Sequence, residues 1–159
     1  MTSHPGPELE ARLALAEKIA REAGAKALDY FKRRETLVIE TKRDPQDVVS
    51  IADRDVEKLI RTRVSEIFPQ DGFLGEEYGL NEGTSGYTWV VDPIDGTSPF
   101  VNGMPNWCVS IAVLKDGEPV IGVIQARALT NSMPRQKAWA QHLMARSWFS
   151  IQAARSAIR

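Results

Sequence analysis

Residues 89–100 read WVVDPIDGTSPF, an apolar run that halts at two aspartates three positions apart and then at a Gly-Thr pair. A β-strand ending in this way presents the Asp92 carboxylate, the Ile94 carbonyl and the Asp95 carboxylate together. Hard oxygen ligands that converge on one point are what Mg²⁺ requires. Gly96-Thr97 can open a short helix, whose free N–H groups and positive dipole end suit a phosphate. A cation and an anion would then share one corner.

Tyr87–Val91 reads as a central strand, apolar on both faces, that feeds Asp92. Before it, Asp71-Gly72 turns the chain into Phe73-Leu74, a short apolar stretch that stops at Gly75-Glu76-Glu77. Two adjacent glutamates taken alone read as solvated surface; beside Asp92 they read as further oxygen ligands. Residues 81–86, NEGTSG, form a loop of turn residues. Past the helix and loop predicted for 97–105, residues 107–114 (WCVSIAVL) predict a strand. Lys115-Asp116-Gly117-Glu118 is a hairpin signal, and 119–124 (PVIGVI) pairs back on that strand.

Nearer the start, Leu9, Leu13, Ala16, Ala20, Ala23, Ala27 and Phe31 recur at three- and four-residue spacing, which predicts an amphipathic helix from about Glu8 to Arg33. Residues 36–41 (TLVIET) predict a strand, 42–45 (KRDP) a loop, and 48–51 a brief extended segment. Asp53 precedes Val56, Leu59, Ile60, Val64 and Ile67, again helically spaced, and so stands at or near the N-terminus of a second helix ending by Pro69. It is either an N-cap or a carboxylate held at the mouth of a site by that cap geometry.

The bulk numbers suit one globular domain: 159 residues, 43% hydrophobic and 26% charged. A net charge of -1 argues against a general nucleic-acid binder. That mean conceals an asymmetry, because residues 126–159 hold six basic side chains and no acidic one, leaving 14 basic against 21 acidic upstream. The single cysteine, Cys108, excludes an internal disulfide and a cysteine-cluster metal site, and reads as a packed thiol rather than a nucleophile. Residues 1–10 lack a basic and apolar leader pattern, so the expected compartment is the cytoplasm, with no membrane anchor. His4 and His142 lie near the ends and no serine has a G-x-S-x-G setting, which leaves no covalent route to hydrolysis.

GEE at 75–77, WVVDPIDGT at 89–97 and DVVSIAD at 47–53, in this order and spacing, resemble the inositol monophosphatase family of Mg²⁺-dependent, Li⁺-sensitive phosphatases. Three separated motifs that agree in sequence and position are far more specific than one Gly-rich loop. The resemblance implies an α+β fold, the layered αβαβα sandwich of the inositol monophosphatase and fructose-1,6-bisphosphatase type. It implies that Glu76, Asp92 and the Ile94 carbonyl hold a first Mg²⁺, that Asp92 and Asp95 bridge to a second, and that Gly96 and Thr97, with Asp95 beside them, receive the phosphate. Glu76, Thr97 and Asp53 match the positions that orient or activate the attacking water, Glu77 a supporting carboxylate and Lys42 a basic residue over the site.

Two departures qualify it. Ser98-Pro99 replaces the family's usual Thr- or Asn-type pair, a change tolerated in a first helical turn. From residue 126 the chain no longer resembles the family, whose later aspartate-containing segment, Gly-rich hairpin and W-D-x-A-A motif are not found. The expectation is therefore an incomplete domain over 8–124, followed at 125–159 by a basic tail that is helical, with Trp139, Leu143, Trp148, Ile151 and Ile158 on one face, or the product of a frame shift. The expected function is Mg²⁺-dependent hydrolysis of a small phosphate monoester such as inositol 1-phosphate, impaired by truncation. The alternatives are histidinol phosphate or a 3′(2′),5′-bisphosphate nucleotide as substrate, or a fragment without catalysis. A homodimer is the expected assembly, and the basic tail offers only a weak route to a membrane surface.

Overall fold

The computed structural model describes residues 6–41 and 44–126. Lys42 and the tail beyond residue 126, with the helix expected there, lie outside the described residues. Helix α1 spans Pro7–Thr41 and α2 spans Pro45–Ile67. Strands β1 (Gly72–Gly75), β2 (Gly79–Asn81) and β3 (Tyr87–Asp95) follow, then the short α3 (Thr97–Val101), β4 (Cys108–Lys115) and β5 (Glu118–Gln125). The strands form one sheet in the order β2-β1-β3-β4-β5. β1 runs parallel to β3, and every other neighbouring pair is antiparallel.

α1 buries one stripe, Ala16, Ile19, Ala20, Ala23 and Ala27, at helical spacing. Side chains as small as alanine let its backbone approach α2 and the β4–β5 hairpin closely. α2 turns Val49, Ala52, Val56, Ile60 and Val64 inward. The sheet answers with alternate residues of each strand: Phe73, Trp89 and Val91, then Val109, Ile111 and Val113, then Ile121. Between the central strands the other set, such as Val90 and Ala112, is only half-buried. The described residues thus make one helical layer and one sheet layer of the expected α+β stack. Among them no helix is long and apolar enough to cross a membrane.

Most sequence-based expectations hold, including the central place of β3, the short helix after Gly96 and the β4–β5 hairpin. Asp116 and Gly117 at its tip both have positive φ, 49° and 85°, as a two-residue hairpin turn of the primed type requires. Three expectations fail at the join of the two helices. Residues 36–41 continue α1 instead of forming a strand. Continuing the helix satisfies their backbone N–H and C=O groups within the segment, with no strand partner needed. Residues 48–51 are helical rather than extended, because α2 begins eight positions before Asp53. Asp44 caps it, accepting the Gln46 N–H at 2.8 Å, and Pro45 takes the first turn, where its missing donor costs nothing. Asp53 is consequently an interior helical residue and not an N-cap.

One buried polar knot ties the layers together at the start of the sheet. The Arg12 guanidinium of α1 donates twice to Asp71, from Nε and Nη2, each at 2.8 Å. Ser85 and the Trp89 indole donate to the same carboxylate at 2.7 and 2.9 Å. Arg12 also lies 3.6 Å from the Tyr87 ring centroid and 4.2 Å from that of Phe68. Burial pushes the Asp71 pKa up, but the donated hydrogen bonds outweigh it and hold the carboxyl below its ordinary value. Removing one member of such a pair strands the other charge in the interior. Arg12→Met should therefore cost about 3–5 kcal/mol in urea unfolding, with much of the loss recovered by adding Asp71→Asn. A cost under about 1 kcal/mol would contradict this role.

Candidate active site

The site lies where β1 and β3 end. Their parallel register pairs Gly75 with Val91, so the next residues, Glu76 and Asp92, emerge side by side. On its other edge β3 pairs regularly with β4 as far as Asp92 opposite Ser110, breaks register, and resumes with Asp95 opposite Cys108. In an unbroken strand residues three apart point to opposite faces. The irregularity at Pro93-Ile94 removes that constraint, and Asp92 and Asp95 are close enough to feel each other's charge. Pro93 has no N–H to lose from the ladder, which suits it to this position.

Gly96 then turns the chain with φ 98°, a left-handed conformation that L side chains rarely adopt. A Cβ there would also press on the Asn106 carbonyl at 3.0 Å. α3 starts at Thr97, whose hydroxyl reaches the Ile94 carbonyl at 3.4 Å, a marginal hydrogen bond. Phe100 of α3 packs edge-on against Phe31 of α1 and against Trp107, with ring centroids 5.4 and 5.1 Å apart. This aromatic cluster anchors the Gly96–Thr97 corner to α1.

α2 brings the remaining carboxylates. It packs against β3 and carries Asp53, 8% exposed, and Glu57, fully buried, one turn apart. One oxygen of Asp53 and one of Asp92 are buried with no hydrogen-bond partner. Burial, followed by the charges of Glu77, Asp92, Glu76 and Glu57, pushes Asp53 up to about 8. Burial, with Glu76 and Asp95, pushes Asp92 up to about 7, and a hydrogen bond from the Ile94 backbone offsets only part of this. Glu76 is raised by burial and by Glu77, Glu57 and Asp95.

The fold therefore gathers Asp53, Glu76, Glu77, Asp92, Ile94, Asp95, Gly96 and Thr97 at one corner. Lys42 lies outside the described residues. Among those residues no three carboxylate, histidine or cysteine side chains stand ready-made as a metal cage. The donor set nonetheless fits a hard divalent cation, since it consists of oxygens, two of them orphaned, crowded into mutual repulsion. Cys108 is raised to about 12 by burial and by Asp95 and Asp92, which keeps it a neutral thiol and supports the packed reading. Sequence reasoning missed Glu57. Its position four residues after Asp53, on the same face as Val56 and Ile60, was the available signal, because a glutamate on an apolar helical face needs a partner.

The sequence model of the inositol monophosphatase family matches residues 8–154. A histidinol-phosphatase of Chlorobaculum parvum is 45% identical over 123 residues, which cover 77% of this chain and 45% of that protein. An inositol-1-monophosphatase of Bacillus subtilis is 40% identical over 112 residues, covering 69% of this chain and 42% of its own length. Among solved structures, the extragenic suppressor protein suhB of Bartonella henselae superposes with a TM-score of 0.64 at 34% identity, over 74% of this chain and 46% of that one. The chain thus spans a little under half the length of these relatives. By its motifs, its fold and the extent of the family match, this chain belongs to the inositol monophosphatase family.

Proposed function

We propose that the corner at the ends of β1 and β3 is the metal- and phosphate-binding centre of a Mg²⁺-dependent phosphomonoesterase. The observation that carries this reading is the pair of buried, unpartnered carboxylate oxygens of Asp53 and Asp92, both held far above their ordinary pKa. Such a cluster is unfavourable in itself and becomes favourable with a cation. Glu76, Asp92, Asp95 and the Ile94 carbonyl are the groups that would hold Mg²⁺. When bound, the cation neutralises phosphate oxygens, lowers the pKa of a water and stabilises a leaving alkoxide.

This chain's own residues do the rest. The turn at Gly96-Thr97 offers backbone N–H groups and a hydroxyl to the phosphate. On this reading Asp53, Glu76 and Thr97 would orient the attacking water, and a carboxylate of the first two would accept its proton. Glu77 supports Glu76 from the adjacent position. The substrate is a small phosphate monoester. Histidinol phosphate comes ahead of the inositol 1-phosphate expected from sequence, because relatives named histidinol-phosphatase from Chlorobaculum parvum, Streptomyces coelicolor and Mycobacterium tuberculosis are 45%, 44% and 48% identical. The inositol-1-monophosphatase of Bacillus subtilis is 40% identical. On this reading residues 8–124 are the N-terminal α+β part of the longer family fold, the family match runs on to residue 154 through a basic tail (125–159) of different composition, and the protein works in the cytoplasm as a homodimer.

Calorimetric titration should show Mg²⁺ binding that Asp92→Asn abolishes. In a version extended to the full length of its relatives, phosphate release should then require Mg²⁺ and rank histidinol phosphate above inositol 1-phosphate and adenosine 3′,5′-bisphosphate. Binding that survives Asp92→Asn, or equal inactivity on all three esters at millimolar Mg²⁺, would contradict the proposal.

The same charges set a stability trend. With folded-state values near 8 and 7 against 3.8 unfolded, Asp53 and Asp92 keep protons in the cation-free folded chain that the unfolded chain has released. Stability without metal should therefore fall as pH rises from about 4 to about 8. Asp92→Asn should raise the cation-free thermal midpoint at pH 8 by a few degrees and flatten the trend. A lowered midpoint would show that Asp92 is not held in repulsion.

A further inference from the structure

Glu57 is fully buried yet lies outside the cation-ligating set, and its surroundings give it a definite task. Its carboxylate accepts the backbone N–H of Glu77 at 2.7 Å and that of Tyr78 at 3.1 Å. Arg61, one turn further along α2, pairs with the same carboxylate at 3.3 Å and donates to the Gly79 carbonyl at 3.0 Å. The Arg61 guanidinium is itself seated over the Phe73 ring, 4.4 Å from its centroid. A Glu–Arg pair on one helix thus grips both sides of the turn that joins β1 to β2. Glu76 is the first residue of that turn.

Gly75 completes the device. A Cβ at position 75 would land inside the Glu57 carboxylate, so the close approach of β1 to α2 depends on glycine there. Three consecutive residues, Gly75, Glu76 and Glu77, are therefore held in register by one buried side chain whose carboxylate is engaged by the Glu77 and Tyr78 amides and by Arg61.

We propose that Glu57 is a positioning residue: it fixes the Glu76–Glu77 turn against α2 so that the Glu76 carboxylate is presented beside Asp92 for a divalent cation. This rests on the functional reading above, and it adds a residue whose effect on cation affinity passes through two backbone amides. An outer partner that orients a ligand is commonly worth about 10–100-fold in metal affinity.

Glu57→Gln keeps the shape while losing the Arg61 charge pair and one amide acceptor. Calorimetry should show Mg²⁺ affinity about 10-fold weaker or worse, and Gly75→Ala should reproduce that loss with Glu57 present. Arg12→Met, which weakens the fold at the opposite end of the sheet, should leave Mg²⁺ affinity unchanged in the folded protein. Hydrogen exchange supplies a readout without metal. In Glu57→Gln the Glu77 and Tyr78 amides should lose protection while those of α2 and β3 keep theirs. If the parent chain takes up no Mg²⁺ the functional reading fails, and the exchange result still decides whether Glu57 sets the turn. Unchanged Mg²⁺ affinity in both variants, or unchanged protection of the two amides, would overturn the inference.

Discussion

Carboxylates crowded into one poorly solvated corner cannot all carry charge, and this constraint governs the ends of β1 and β3. Asp53, Glu76 and Asp92 are each raised, and in each case burial comes first and the neighbouring carboxylates second. A fold selected for stability alone would replace such a group with apolar side chains or give it basic partners. Here one oxygen of Asp53 and one of Asp92 have no hydrogen-bond partner, and Asp53 lies in the field of Asp92, Glu76 and Glu77. The arrangement makes physical sense as a binding site whose missing charge is supplied from solution.

The scaffold carries that cost through strong contacts placed elsewhere. At the start of the sheet Arg12 and Asp71 form a fully partnered buried pair that joins α1, the end of α2, β1 and β3. At its other end the Phe31–Phe100–Trp107 cluster holds α3 and the chain leading into β4 against α1. β3 runs between these two anchors, with Trp89 and Val91 in the core. Its last four residues are left to serve the site, and the register break at Pro93-Ile94 lets them do so without opening the sheet.

Much of this was readable in the sequence, for physical reasons that can be named. Apolar runs closed by Asp-Gly, Gly-Glu and Lys-Asp-Gly-Glu fix β1, β3, β4 and β5, because turn chemistry and strand periodicity agree there. The join of α1 and α2 was not readable by the same rules. β-branched residues at 36–41 favour a strand locally, but a strand needs a neighbour, and sheet order is not local information. Asp44-Pro45 looks like a chain breaker and acts as a cap and first helical residue, which moves Asp53 from the tip of α2 to its interior. Glu57 was hidden because its partners are backbone amides 20 and 21 positions away. Only its place on the apolar face of α2 gave it away.

The central claim concerns charge and is open to direct measurement. Side-chain carboxyl carbons of Asp53 and Asp92 can be followed by NMR across a pH titration, with and without Mg²⁺. The account predicts apparent values near 8 and 7 without metal, and a return of both towards the ordinary aspartate range once Mg²⁺ is bound. Titration of both groups near 4 without metal, or curves that Mg²⁺ leaves in place, would contradict it.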